Sequence, residues 1–305
     1  MGDRRPVVHL RAAVGDVAKR ERSNRTRQSY EAKSGAHQLN RRCGDGSASE
    51  CPTARSVPAR ERIATAGDTA ARLTHIANLM DQHSMQIIRA LPIRPYANIL
   101  DFGAGTGSLG AALADLDPGT TVHALDHDTS LIPEVVRKRP NVRVIEADAT
   151  TWRAPRRFDL IHARFTLIHI PERDRILAGM RNWLNPGGIL MVTEPYQLDE
   201  ANAPDPVVAR VLGAYHDYLD RNGTALTWIR TVPAMLGTLG LLDIEIHAKA
   251  GRLGGGRHDR WLKLIEPLRG SLDITDEEFE HFRQITRSAG WHDLPQIILT
   301  VTART

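Results

Sequence analysis

Ile99-Leu100-Asp101-Phe102-Gly103-Ala104-Gly105-Thr106-Gly107-Ser108-Leu109-Gly110 reads as a short apolar strand that runs into a glycine-rich turn and then into a helix. Glycine at alternate positions straight after such a strand suits a backbone that must admit a ligand closely or take positive φ angles. Gly105, Gly107 and Gly110 match the dinucleotide fingerprint G-x-G-x-x-G, which brings a nicotinamide or flavin enzyme into consideration. Strand geometry instead makes Gly103 the first glycine, so that the third position falls on Ser108. Asp101 then stands just before the loop, where its carboxylate would repel a pyrophosphate and attract a cation, directly or through water. The loop therefore points to a ligand that bears an amine or a sulfonium.

The segments around the loop extend the same pattern. Apolar, β-rich runs at 98–102, 121–125, 142–146, 158–163 and 189–193 are separated by helical stretches at 107–114, 129–138 and 172–184. Strands too apolar to alternate, interleaved with helices, indicate a parallel sheet covered on both faces. Upstream, Asp68 is placed to cap a helix whose apolar face runs from Leu73 and Ile76 to Ile88 and Leu91, with Pro92 as the stop. Downstream the rhythm changes. Long helical stretches at 207–219 and 227–239 precede a strand at 242–247, Thr275 and Glu278 form a capping box for a helix through Arg287, and a last strand is expected at 297–303. The two late strands are expected to pair antiparallel.

The chain has 305 residues, 41% hydrophobic and 25% charged, enough for one large domain with additional segments, which excludes a wholly disordered chain. No apolar run reaches the roughly 20 residues that span a bilayer, and no signal-peptide core follows the Arg-rich start, so a cytoplasmic protein without a membrane partner is expected. Cys43 and Cys51, the only cysteines, have no Cys or His partners at zinc-site spacing, so neither a disulfide scaffold nor a cysteine metal site is expected. The net charge of +4 is unevenly spread. Residues 1–63 hold 14 Lys and Arg against 7 Asp and Glu, a net +7, whereas the other 242 hold 26 against 29, a net −3. A globular nucleic-acid binder would carry its positive charge on the folded surface, so this distribution argues against one. Residues 1–62 mix Arg, Ser, Gly, Asn and Gln without a period and are read as a disordered basic arm.

From about residue 65 to 303 the sequence resembles the class I S-adenosylmethionine-dependent methyltransferases, and 68–195 is similar to bacterial small-molecule methyltransferases. The resemblance is carried by Asp101-Phe102-Gly103-Ala104-Gly105-Thr106-Gly107, Ala124-Leu125-Asp126, Ala147-Asp148-Ala149, Phe158 to Ala163 with Leu167-Ile168-His169-Ile170-Pro171, and Leu184-Asn185-Pro186-Gly187-Gly188. It implies a Rossmann-like α/β fold: a seven-stranded, mostly parallel sheet with helices on both faces and an antiparallel last strand. Residues 63–305 would form the methyltransferase domain, with helical substrate-lid insertions at about 197–240 and 251–292. The implied cofactor is S-adenosyl-L-methionine. Gly103, Gly105 and Gly107 would wrap its methionine part and Asp101 would serve its ammonium end. Asp126, on an exposed strand tip, would accept both ribose hydroxyls, since two carboxylate oxygens match a vicinal diol. His127 would cover the adenine face, Asp148 would receive the adenine amino group, and the Ala149 amide would serve a ring nitrogen. A metal cluster of His123, Asp126, His127 and Asp128 is the poorer explanation, because the two histidines need not face one point and the ribose role accounts for Asp126.

The chemistry implied is in-line displacement at a sulfonium methyl, in which the protein contributes alignment, exclusion of water and sometimes a base. His169 is the candidate base, the alternative being a histidine that packs beside the cofactor. Arg164 is a candidate for binding an anionic substrate, the alternative being a structural ion pair. Tyr196, with Glu194, is expected at the substrate entrance. Trp228 belongs to an aromatic set in the insertions that either lines a substrate pocket or packs the insert helices. The expected partner is a small-molecule methyl acceptor, with no nucleic acid. RNA or protein methylation guided by the basic arm, and a cofactor-binding regulatory protein without catalysis, are the competing readings.

Overall fold

The computed structural model of the chain describes residues 66–256 and 260–305; the expected arm at 1–62 lies outside them. Seven strands form one sheet: β1 (Asn98–Phe102), β2 (Thr121–Asp126), β3 (Val142–Glu146), β4 (Phe158–Arg164), β5 (Leu184–Gln197), β6 (Leu242–Gly254) and β7 (His292–Arg304). Their order is β3-β2-β1-β4-β5-β7-β6. The first five are mutually parallel, and β7 runs antiparallel to both β5 and β6. The expected mostly parallel sheet with an antiparallel last pair is thus present. The central strands are buried along almost their whole length, as strands covered on both faces must be. The strand order reverses between β1 and β4, the point at which an open α/β sheet leaves a crevice beyond its carboxyl ends.

The helices follow from local signals. Helix α1 (Ala66–Ala90) already includes Asp68, which therefore lies inside the first turn and is not the cap. Helix α2 (Ser108–Ala114) starts directly from the glycine loop, and α4 (Arg173–Trp183) crosses from β4 to β5. The single helix expected at 129–138 is divided into a 3-10 turn (Thr129–Leu131) and α3 (Glu134–Arg137), because Pro133 holds Ile132 extended. The expected 227–239 helix is likewise a 3-10 turn (Trp228–Thr231) followed by α6 (Val232–Thr238). Helix α5 (Pro206–Arg221) is capped by Asp205, whose carboxylate accepts from the Val207 and Val208 amides, with Pro206 preset for the first turn. Helix α7 (Arg260–Ile265) is short, and α8 (Asp276–Arg287) begins with the Thr275–Glu278 capping box read in the sequence.

Two clusters of buried side chains cover the faces of the sheet, and a third lies away from it. This third cluster joins α5, α7 and α8 through Val211, Tyr215, Trp261, Phe279 and Phe282, with Leu253 of β6. The aromatic residues of the insertions are thus chiefly the core of a helical cap. The Leu184-Asn185-Pro186-Gly187-Gly188 motif sits at the opposite edge of the sheet from the crevice. Its Asn185 donates to Asp159 Oδ1 at 2.7 Å, while Asp159 Oδ2 accepts from the Asn98 amide at 2.8 Å, so the motif ties the starts of β1, β4 and β5 together.

Candidate active site

Beyond the carboxyl ends of β1, β2 and β4 lies a cavity of about 740 Å³. The glycine loop forms its floor. Gly103, Gly105 and Gly107 take φ values of 78°, 56° and 69°, in the left-handed region that side chains resist. Gly103 meets a second requirement, since a Cβ there would lie 2.0 Å from Thr166 Oγ1 on the turn after β4. Asp101 is buried at the end of β1. Its Oδ1 lies 3.0 Å from His162 Nδ1 on the neighbouring strand β4, where the two residues are in register, and its Oδ2 accepts no hydrogen bond. Both residues line the cavity.

Asp126 ends β2, and its side chain is only 12% exposed, which corrects the expected exposed tip. The carboxylate folds over the loop: Oδ2 accepts from the Gly105 amide at 2.8 Å, and Oδ1 accepts from the Asp128 amide at 3.2 Å with His127 Nδ1 2.9 Å away. Asp126 is therefore part of the loop's own structure, with lone pairs remaining for a ligand, because a carboxylate offers about four acceptor positions. His127 is largely exposed, its side chain at 84%, on the cavity rim. Asp148 is exposed after β3, where the amide and hydroxyl of Thr150, at 2.7 and 2.8 Å, hold its carboxyl below the usual range. Ala149 lines the cavity beside it. The structure thus brings all eight expected cofactor residues to one edge of the sheet; Gly107 alone is absent from the cavity lining and turns the chain into α2.

The turn after β4 carries features that sequence reasoning missed. Phe165 takes φ 53°, a strained value for a residue with a bulky side chain. The strain is held by Glu194 of β5, whose Oε1 accepts from the amides of Thr166, Leu167 and Ile168 at 3.1, 2.9 and 3.4 Å. Glu194 is completely buried, so it does not stand at a substrate entrance. Burial drives its carboxyl from the ordinary 4.5 up to about 8, outweighing the amides that favour the charged form. His169 follows in a 3-10 turn (Leu167–His169), with Nδ1 3.1 Å from Thr224 Oγ1.

Three substrate expectations need correction. Arg164 lies on the cavity wall, but its guanidinium is committed to α1, with Nη2 2.7 Å from Asp81 Oδ1 and Nη1 3.1 Å from Ser84 Oγ. It pins α1 over the site as the structural ion pair that was the alternative reading. Trp228 is buried against the sheet and donates its indole N–H to Asp174 at 2.7 Å; it lines neither this cavity nor the next. Tyr196 also lines neither, because its ring packs on the same core cluster and its hydroxyl accepts from Arg230 at 3.1 Å.

A second cavity, of about 490 Å³, adjoins the first and shares Ile76, Phe165 and His169 with it. Its walls come from α1, α5, α7 and the far ends of β6 and β7. Among the described residues no group of three or more metal-ligating side chains is gathered, and no helix is long and apolar enough to cross a membrane.

Residues 99–188 match the family model described as a methyltransferase domain. That segment runs from β1 into β5 and carries the glycine loop, so the part of the chain that builds the crevice is similar to methyltransferase domains. Among particular relatives, trans-aconitate 2-methyltransferase of Deinococcus radiodurans is 34% identical over 113 residues, covering 37% of this chain and 43% of the relative. The enzyme of the same name from Escherichia coli (strain 55989 / EAEC) is 25% identical over 166 residues, covering 54% and 65%. The matches thus span less than two thirds of either relative. Among solved structures, phosphoethanolamine N-methyltransferase 2 of Haemonchus contortus, bound to phosphomonomethylethanolamine and S-adenosylhomocysteine, superposes with a TM-score of 0.50 at 17% identity. That match covers 74% of this chain and 52% of that one. The residues present fit S-adenosylmethionine, the cofactor that the resemblance implies: a buried carboxylate oxygen at Asp101 that no donor reaches, a loop with left-handed backbone at Gly103, Gly105 and Gly107, and carboxylates at or just past the ends of two successive strands.

Proposed function

We propose that this protein transfers the methyl group of S-adenosylmethionine to a small organic acceptor. The observation that carries the reading is the pair of adjoining cavities, one floored by the glycine loop and the other walled by apolar side chains, which share Phe165 and His169. In this reading Gly103, Gly105 and Gly107 surround the methionine part and Asp101 receives the ammonium. Asp126 takes the ribose hydroxyls, His127 lies on the adenine face, and Asp148 with the Ala149 amide receives the adenine edge. When bound, the cofactor supplies a methyl group on a sulfonium that departs as a neutral thioether. The chain supplies alignment and exclusion of water: α1, pinned by Arg164, roofs both cavities, and the inserts at about 197–240 and 251–292 act as the lid. His169, oriented through Nδ1 by Thr224, removes the proton of an acceptor that carries one. The two relatives named for trans-aconitate support a small-molecule acceptor.

The test is transfer from methyl-labelled S-adenosylmethionine to a panel of small acids, phenols and amines, with the full chain and with residues 1–62 removed. Labelled product from both proteins is expected. His169→Ala should lower the rate by about 100-fold or more while S-adenosylhomocysteine affinity stays within about threefold. Transfer only to RNA or protein, and only with the arm, would replace this reading by the arm-guided one. Tight S-adenosylhomocysteine binding without transfer to any acceptor would leave a binding protein.

A further inference from the structure

The second cavity has a chemistry of its own. Leu79, Met80, Leu219, Leu226, Leu264 and Ile298 make its walls apolar. Among the described residues its charged lining residues are Lys249 and Arg252 of β6 and Arg260 at the start of α7, with no Asp or Glu. Lys249 and Arg252 are exposed, whereas Arg260 is half-buried.

Arg260 differs from the arginines that hold the fold together. Arg164 is paired with Asp81, and Arg210 with Asp273 and Glu278. Among the described residues no carboxylate pairs with Arg260. Its guanidinium lies 5.4 Å from the centre of the Trp261 ring and, with the Gln296 amide oxygen turned toward it, donates to that oxygen from both Nη2 and Nη1, the latter at 3.0 Å. Both partners are neutral. Burial pushes the guanidinium down to about 10, so it remains cationic at neutral pH. The positive field extends to His83 on α1, which burial and then Lys249 hold below its ordinary value. A cation withdrawn from water without a counter-charge is costly, and an incoming anion removes that cost. Arginine suits the task, because its planar fork matches a carboxylate in two hydrogen bonds.

We infer that the second cavity is the acceptor subsite and selects a carboxylic acid with an apolar body, its carboxylate at Arg260 and its nucleophilic end at the wall shared by Phe165 and His169. The inference rests on the methyltransferase reading above and names the acceptor class that reading leaves open. The apolar wall residues suit a hydrocarbon body, which separates this class from small acids that carry charge at every end. Lys249 and Arg252, exposed on β6, draw the anion in by their charge.

The test is calorimetric titration of the full chain, first with S-adenosylhomocysteine and then, on the saturated protein, with 4-phenylbutanoate, octanoate, their primary amides and trans-aconitate. Both monoacids should bind, with the matched amides at least tenfold weaker. Arg260→Gln should weaken the acids at least tenfold and leave the amides and S-adenosylhomocysteine within threefold. Arg260→Lys, which keeps the charge but not the planar fork, should recover only part of the acid affinity, and thermal melts of both variants report whether they fold. Failure of S-adenosylhomocysteine to bind would sink the cofactor reading itself. Normal cofactor binding would instead overturn this inference alone in any of three cases: acids and amides bind equally, trans-aconitate binds more tightly than the monoacids, or the acids compete with S-adenosylhomocysteine. If neither arginine variant folds, the acid-to-amide ratio on the unaltered protein decides.

Discussion

The glycine-loop edge of the sheet and the helical cap are built by different means. At the loop edge Asp101 and Asp126 stand at the ends of strands, with partners on the adjacent strand or the loop, His162 for the one and the Gly105 amide for the other. The geometry is inherited from a sheet whose register is set by buried apolar strands. In the cap, α5, α7 and α8 carry a core of their own, and the adjoining cavity is assembled from residues as distant as His75 and Ile298. The glycine-loop cavity is a property of the sheet. The second cavity depends on how separate helices pack, so its contents can change while the loop edge is left alone.

That division makes the largest predicted effect a structural one. Phe282 is fully buried in the cap core, and Phe282→Ala should cost about 3–5 kcal/mol of unfolding free energy in a denaturant titration. Affinity for S-adenosylhomocysteine should stay within about threefold in conditions where the variant is folded; a parallel collapse of both quantities would abolish the distinction between the two regions. Asp126→Ala probes the other side. Losing charge-assisted bonds to two ribose hydroxyls should weaken cofactor binding by about 30- to 1000-fold, equivalent to roughly 2–4 kcal/mol. Because the same carboxylate holds the Gly105 amide, the cofactor-free protein should also lose about 1 kcal/mol of stability. Normal cofactor binding by this variant would remove the ribose assignment, and an unchanged melt would show that the loop keeps its shape unaided.

The third effect, which appears only as pH is varied, belongs to Glu194 of β5. Its carboxyl titrates at about 8 in the folded protein against 4.5 ordinarily, so between those values the folded state retains a proton that the unfolded chain has released. Stability should therefore fall as pH rises from about 4.5 to about 8 and level off above that. Glu194→Gln stays neutral throughout and can still accept the three turn amides at its oxygen, so it should flatten this slope. Unfolding titrations at pH 5, 6.5 and 8 on both proteins measure the difference. Equal slopes would mean that Glu194 is ionised, and accommodated, in the folded state.

Much of the loop edge was legible because its signals are local. An apolar strand, glycines at alternate positions and a carboxylate at a strand end lie within a few residues of one another, and β1, β3 and the α8 capping box fall where the pattern places them. At Arg164, Tyr196 and Trp228 the partners were not legible: Asp81, Arg230 and Asp174 are distant in sequence, and a side chain's role follows from what it touches.

The amino-acid sequence by itself determined the sheet, its alternation with helices and the cofactor edge, because burial on two faces and a turn that only glycine can make leave few alternatives. It also set the strand cores but not their ends. The pattern stops one late strand at His247 and starts the other at Ile297, whereas β6 runs to Gly254 and β7 begins at His292. The extra residues pair with each other and with β5 across roughly forty to a hundred positions of chain, and they include Lys249, Arg252 and Gln296, which form a wall of the second cavity. Only the tertiary structure decided that wall. Its strands are extended by hydrogen bonds to partners far along the chain, which no local period records, and Arg260 acquires its place beside Gln296, which sequence alone does not bring near.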